Sequence, residues 1–73
     1  MKERILAAMN AAFGIDNATE ETSQKNCAEW DSLHHLDLIL NLEDEFDLSF
    51  EPEEIAEMID YPAVEAMVKQ KIQ

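Results

Sequence analysis

Apolar residues recur at the spacing of an α-helix over most of this chain, and only one glycine and two prolines interrupt the pattern. Over residues 2–13 they stand at i, i+1, i+4, i+7 and i+8, which places them in one stripe. The members of this stripe are Ile5, Leu6, Met9, Ala12 and Phe13. Gly14 follows directly and suits the left-handed residue that ends a helix. The sequence therefore predicts a first helix over 2–13.

A second helix is expected to start at Asp31 and to run to about Phe46. Asp31 is a good N-cap, because its carboxylate can accept hydrogen bonds from free backbone N–H groups and opposes the positive helix end. At about 100° per residue, the apolar side chains of this helix fall in two stripes. The first stripe, predicted to be core, contains Leu38, Ile39, Leu42 and Phe46. The second stripe contains Leu33, Leu36 and Leu40, with Asp37 and Asp44 beside it. It is either a second core contact or a half-exposed strip for a partner.

The connection between these helices, residues 15–30, is polar and has no sustained periodicity. A connection of this length in so small a domain is unusual, and such loops are often functional or held in place by packing. Ile15 and Trp30 are expected to anchor it on the core, since large aromatic side chains supply much burial.

Two prolines mark the starts of the remaining helices. Leu48 and Phe50 alternate with polar residues in an extended connection, and Pro52 then opens a short helix to Met58. Pro62 opens a last helix to about Ile72, with Tyr61 as the boundary residue. The apolar stripe of that helix is Val64, Met67, Val68 and Ile72. The prediction is an all-α four-helix bundle, three longer helices and one short one, forming a single domain over 1–73 with a long loop between the first two helices.

The charge of the chain is concentrated in its middle. The 73 residues carry a net charge of −12, and residues 29–60 hold 12 acidic residues without a lysine or arginine. Such a surface repels phosphate backbones and anionic membranes, so we expect neither nucleic-acid binding nor a peripheral-membrane role. No apolar run approaches the roughly 20 residues needed to span a bilayer, so membrane insertion is not expected either. No signal peptide is evident, and a single cysteine, Cys27, fits a reducing cytoplasm. The expectation is a cytoplasmic protein.

Residues that could carry chemistry are few. His34 and His35 are neighbours in a helix and point about 100° apart, so they cannot chelate one metal ion, and no metal site is predicted. Cys27 lacks the basic surroundings that activate a thiol. A bundle this small offers little volume for a dry catalytic pocket, so an enzyme is not expected. Ser32, at the start of the second helix, is well placed to accept a modifying phosphate.

The segment from Trp30 to Phe46 resembles the acyl carrier protein family. It contains Asp31-Ser32-Leu33 at the start of the second helix, followed by a leucine-rich stretch that ends in Glu43-Asp44-Glu45-Phe46. Together with the long preceding loop, the acidic second helix and the order of the helices, this resemblance covers nearly the whole chain.

The resemblance implies that Ser32 carries 4′-phosphopantetheine, attached by a phosphopantetheinyl transferase that uses coenzyme A and magnesium. Asp31 and Leu33 would flank the attachment point. The thiol of the arm would hold acyl groups as thioesters for acyl-transferring or acyl-modifying enzymes, and the monomeric carrier would not catalyse a reaction itself. The positions that would dock basic and apolar patches of those enzymes are Leu36, Asp37, Leu40, Glu43 and Asp44.

Two residues differ from the common pattern of fatty-acid carriers. His34 stands where many have an acidic residue, and Trp30 precedes the motif. Both features look more like specialised carriers of secondary-metabolite, surface-polysaccharide or aminoacyl-transfer pathways. The alternatives are an aminoacyl or peptidyl carrier and an unmodified acidic adaptor that binds a basic protein surface.

Overall fold

Four helices make up the protein in a computed structural model that describes residues 1–72. They are α1 (Lys2–Phe13), α2 (Ser32–Phe46), α3 (Pro52–Glu57) and α4 (Tyr61–Ile72). The predicted all-α bundle of three longer helices and one short one is confirmed. Among residues 1–72, none of the helices has the length and apolar character needed to cross a membrane.

The ends of α1 and α2 follow from local backbone chemistry. Gly14 adopts a left-handed conformation, with φ of 68°, and its N–H donates to the carbonyl of Asn10. This is the helix end that the sequence predicted. Asp47 ends α2 in the same conformation, with φ of 55°, which an aspartate tolerates better than most residues. That second left-handed position was not predicted.

The core forms where the predicted stripes of α1 and α2 meet those of α4. In α2, Leu38 and Leu42 are completely buried, Ile39 is buried and Phe46 is half-buried against the core, as predicted. In α1 the whole predicted stripe is buried except Leu6, which is half-buried and packs against the core. These contacts bury the apolar face of each helix and supply the main stabilising free energy of the fold.

The last helix corrects two predictions. It begins at Tyr61, one residue before the predicted start, because the Asp60 side chain accepts the N–H of Ala63 (3.0 Å) and so caps the helix. Ile72 was predicted to join the apolar stripe, but it is 45% exposed. Met58, just after α3, fills part of the core instead and is completely buried.

The long connection between α1 and α2 is fixed at both ends and in its middle. Trp30 is only 3% exposed, and its ring packs on that of Phe13 with centroids 4.9 Å apart. Ile15 is half-buried against the core, so both predicted anchors are confirmed. A short backbone bridge also joins this connection to the segment before α4, with the N–H of Tyr61 donating to the carbonyl of Thr22 (2.9 Å). The middle of the loop is therefore bonded to the start of α4, and the loop then leads into α2.

Candidate functional site

Ser32 is the first residue of α2 and is exposed. The preceding residue, Asp31, has extended backbone and caps the helix, since its carboxylate accepts the N–H of His34 (2.9 Å). That backbone hydrogen bond, and a second one from the imidazole of His34, lower the pKa of Asp31. The serine hydroxyl thus stands at a well-formed helix start, beside a carboxylate that stays ionised.

The first turn of α2 also presents backbone donors. The residues four positions before Ser32 and Leu33 lie outside the helix, so the N–H groups of these two residues have no helical carbonyl to bond. With the partial positive charge of the helix end, such N–H groups favour a negatively charged group nearby. These N–H groups would favour an anionic substituent on the Ser32 oxygen, whereas the ionised Asp31 carboxylate next to it would oppose one.

A strip of three leucines leads away from Ser32 along α2. This leucine strip consists of Leu33, Leu36 and Leu40, which are 69%, 54% and 62% exposed. Of the two alternatives left open by the sequence, a second core contact is excluded by this exposure, whereas a strip for a partner stays a prediction. Ile59, after α3, is also exposed at 51% and was not singled out by the sequence. Large apolar side chains grouped in this way on a surface are typical of an interaction site.

Acidic side chains of α2 lie near the leucine strip, and they differ in solvent exposure and in the contacts that they make within the protein. Asp37 and Asp44 are exposed. Glu43 is half-buried, and its Oε2 accepts the backbone N–H of Phe50 (2.9 Å), which holds the connection between α2 and α3. Glu45, which is not one of the predicted partner positions, lies on another side of α2 and pairs with Arg4 of α1. Of the predicted partner-binding carboxylates, Asp37 and Asp44 are thus the more accessible, and Glu43 has a structural role as well.

A shallow cleft of ≈ 480 Å³ opens beside Ser32, between the start of α2 and the end of α3. Its walls combine polar and apolar side chains, namely Gln24, Trp30, Asp31, Ser32, His35, Ala56 and Ile59. A flexible chain attached to Ser32 would have a surface depression within reach that offers both kinds of contact.

The two histidines of the site occupy different environments. His34 lies beside Asp31, with its Nδ1 2.8 Å from the carboxylate. His35 is half-buried and bonds to Trp30 and to the carbonyl of Ile55. The sequence indicated only that a buried His35 needs a hydrogen-bond partner. Within residues 1–72, no three His, Cys, Asp or Glu side chains converge as a metal site would require. Cys27 is buried, with its thiol 3.7 Å from the carboxylate of Glu29.

Comparison of the chain with the described protein families finds no matching family. Comparison with curated proteins likewise finds no significant match.

Proposed function

We propose that this protein is an acyl carrier protein that holds acyl or related intermediates as thioesters on a 4′-phosphopantetheine arm attached to Ser32. The observation that carries the proposal is the combination of an exposed Ser32 at the start of α2 with an exposed leucine strip directly beyond it. A carrier needs both a modifiable group and a surface that several enzymes can recognise in turn.

The residues around Ser32 fit the proposed group. The exposed hydroxyl is accessible to a transferase, and the N–H groups of the first turn of α2 suit the phosphodiester that would form there. When bound, 4′-phosphopantetheine would supply a flexible arm whose terminal thiol forms the thioester. In the attachment step, the Ser32 oxygen would bond to the phosphorus of coenzyme A next to the pantetheine, and adenosine 3′,5′-bisphosphate would leave. The Ser32 proton passes to a base of the transferase.

Partner recognition would use the leucine strip and its acidic border. Leu36 and Leu40 would fill apolar depressions on an enzyme, while Asp37 and Asp44 would face lysine or arginine side chains. The net charge of −12 would steer such basic surfaces towards the carrier from a distance, and salt would weaken this attraction. The cargo would be acyl, aminoacyl or peptidyl, because the thioester chemistry at the end of the arm is common to all three.

The proposal is tested by intact-mass measurement after incubation with coenzyme A, magnesium and a phosphopantetheinyl transferase of broad specificity. The wild-type protein is expected to gain the mass of one phosphopantetheinyl group. Ser32→Ala should gain none. The matched control is Ser49→Ala, which removes another exposed serine hydroxyl and should be labelled like the wild type.

The second candidate, an unmodified acidic adaptor, is favoured by the leucine strip alone, because that surface exists whether or not Ser32 is modified. The labelling assay applied to Leu36→Asp distinguishes the two candidates. A carrier predicts that this change slows labelling of Ser32 while the helical circular dichroism spectrum is retained. Wild-type protein that stays unlabelled with active transferase would refute the carrier and leave the adaptor.

A further inference from the structure

The only two histidines of the chain are adjacent, yet they meet opposite kinds of partner. His34 lies against the Asp31 carboxylate, with its Nδ1 2.8 Å from an oxygen of that group. His35 lies between two neutral groups. The indole Nε1–H of Trp30 donates to its Nδ1 (2.9 Å), and its Nε2–H donates to the carbonyl of Ile55 (2.8 Å). His35 thereby joins the end of the long loop to α3.

The partners of His35 determine its protonation state. An indole N–H can only donate, so the Nδ1 atom of His35 must present a lone pair to Trp30. A backbone carbonyl can only accept, so the Nε2 atom must carry the hydrogen that faces Ile55. Only the neutral imidazole with its hydrogen on Nε2 satisfies both contacts. The rings of Trp30 and His35 lie at 28° to each other, with their centroids 6.1 Å apart.

A second proton on His35 would be incompatible with the Trp30 contact. It would add an N–H at Nδ1 that points at the N–H of the indole, across the same 2.9 Å. The indole cannot turn away easily, because Trp30 is 3% exposed and its ring is packed on Phe13. Protonation therefore requires Trp30, the Phe13 ring on which it packs, or His35 itself to move. The hydrogen bond from His35 to the carbonyl of Ile55 needs no change.

The charged groups around His35 offer little compensation for such a proton. On its own helix, the Asp31 carboxylate is bonded to His34. On α3, Glu54 is paired with Lys71, while Glu53 and Glu57 are exposed to solvent. On the loop, Lys25 and Glu29 are both exposed, and Glu29 accepts from the thiol of Cys27. Asp31 is also the only other titratable side chain lining the cleft with His35.

We propose that His35 is a proton-sensitive clamp: the neutral imidazole joins Trp30 to Ile55, and protonation releases Trp30 and loosens the segment that leads into Ser32. The stimulus is acidification sufficient to add a second proton to the His35 imidazole. Because Trp30 and His35 both line the cleft beside Ser32, release would change the shape of that cleft. The clamp concerns the unmodified fold and does not require Ser32 to carry a group.

Nuclear magnetic resonance of the unmodified, uniformly ¹⁵N-labelled protein tests the clamp directly. At about pH 8, long-range ¹H–¹⁵N spectra should show His35 with its hydrogen on Nε2. The single tryptophan gives one indole N–H signal. Between about pH 8 and about pH 5 this signal should shift together with the His35 ring, and its exchange with water should become roughly tenfold faster as the hydrogen bond is lost.

Two variants separate the adjacent histidines. His35→Gln replaces the ring with an amide that does not titrate, so the indole signal should become insensitive to pH over this range. His34→Gln is the matched control and should keep the wild-type pH response.

Three results would overturn the clamp. One is a spectrum of the wild-type protein that shows the His35 hydrogen on Nδ1. This measurement needs no variant, so it stays decisive if His35→Gln fails to fold. Another is an indole signal that stays fixed while the His35 ring titrates. The third is loss of the pH response in His34→Gln but not in His35→Gln. None of these involves a transferase, so failure of the clamp and failure of the proposed carrier function are distinguishable.

Discussion

Leu36 and Leu38 of α2 differ by two positions in sequence but face opposite environments, so a matched pair of truncations tests the fold of this helix. Leu38 is completely buried, and Leu38→Ala leaves a cavity in the core, which costs about 2–5 kcal/mol of unfolding free energy. Leu36 is 54% exposed. Since complete burial of a leucine side chain is worth about 1.5–3 kcal/mol, truncation of a half-exposed one should cost about 1 kcal/mol or less.

Thermal unfolding followed by far-ultraviolet circular dichroism measures the difference. In a domain of this size, 1 kcal/mol changes Tm by about 4–8 °C. Leu38→Ala should therefore lower Tm by at least about 8 °C, and Leu36→Ala by no more than about 8 °C with its helical spectrum intact. Equal losses in the two variants would refute the reasoning, because they would mean that the leucine strip is packed like the core. Leu40→Ala, at 62% exposure, should behave like Leu36→Ala.

Three further predictions concern stability. Gly14→Ala should lower the unfolding free energy by about 1–2 kcal/mol in urea titrations, because alanine disfavours the left-handed φ of 68°. Nothing lies within 4 Å of an added Cβ, so this loss has no steric part. Gly14→Asn should cost less, and equal costs in the two variants would contradict a conformational origin. The pKa of Asp31 in the folded protein is lower than its ordinary value of 3.8, so the ionised carboxylate stabilises the fold at pH values above 3.8. This contribution disappears as the pH falls through the lower pKa of the folded state. Asp31→Asn keeps a capping oxygen, so its Tm should fall less than that of the wild type during acidification below about pH 4; parallel curves would argue against this contribution. Finally, added salt or magnesium should raise the wild-type Tm by screening the 12 acidic residues of 29–60, and a flat response would show that their repulsion is negligible.

Much of the fold could be predicted because its local signals agree with its packing. The helical spacing of Ile5, Met9 and Phe13, the lone Gly14 and the capping Asp31 each specify a helix or its end without long-range information. The start of α4 was missed by one residue, because its cap is the Asp60 side chain and the prediction relied on Pro62. Ile72 has the right spacing for the core, and its exposure could be found only from the packed structure.

The candidate site was only partly predictable. Periodicity reveals that α2 has two apolar stripes, but not how many neighbours the helix has, so the exposure of the leucine strip required the packed structure. The clamp at His35 depends on Ile55, which is 20 residues away in sequence and reaches His35 only through the packing of α3. Ile59 became noticeable only through its exposure next to the cleft.

The central claim is that Ser32 accepts the phosphopantetheinyl group, and locating that group by tandem mass spectrometry tests it most directly. Trypsin, which cleaves after lysine and arginine, releases residues 26–69 as one peptide that contains both Ser32 and Ser49. After incubation with coenzyme A and the transferase, fragmentation should place the added mass on Ser32 and leave Ser49 unchanged. An unmodified peptide, or added mass on any other residue, would contradict the account.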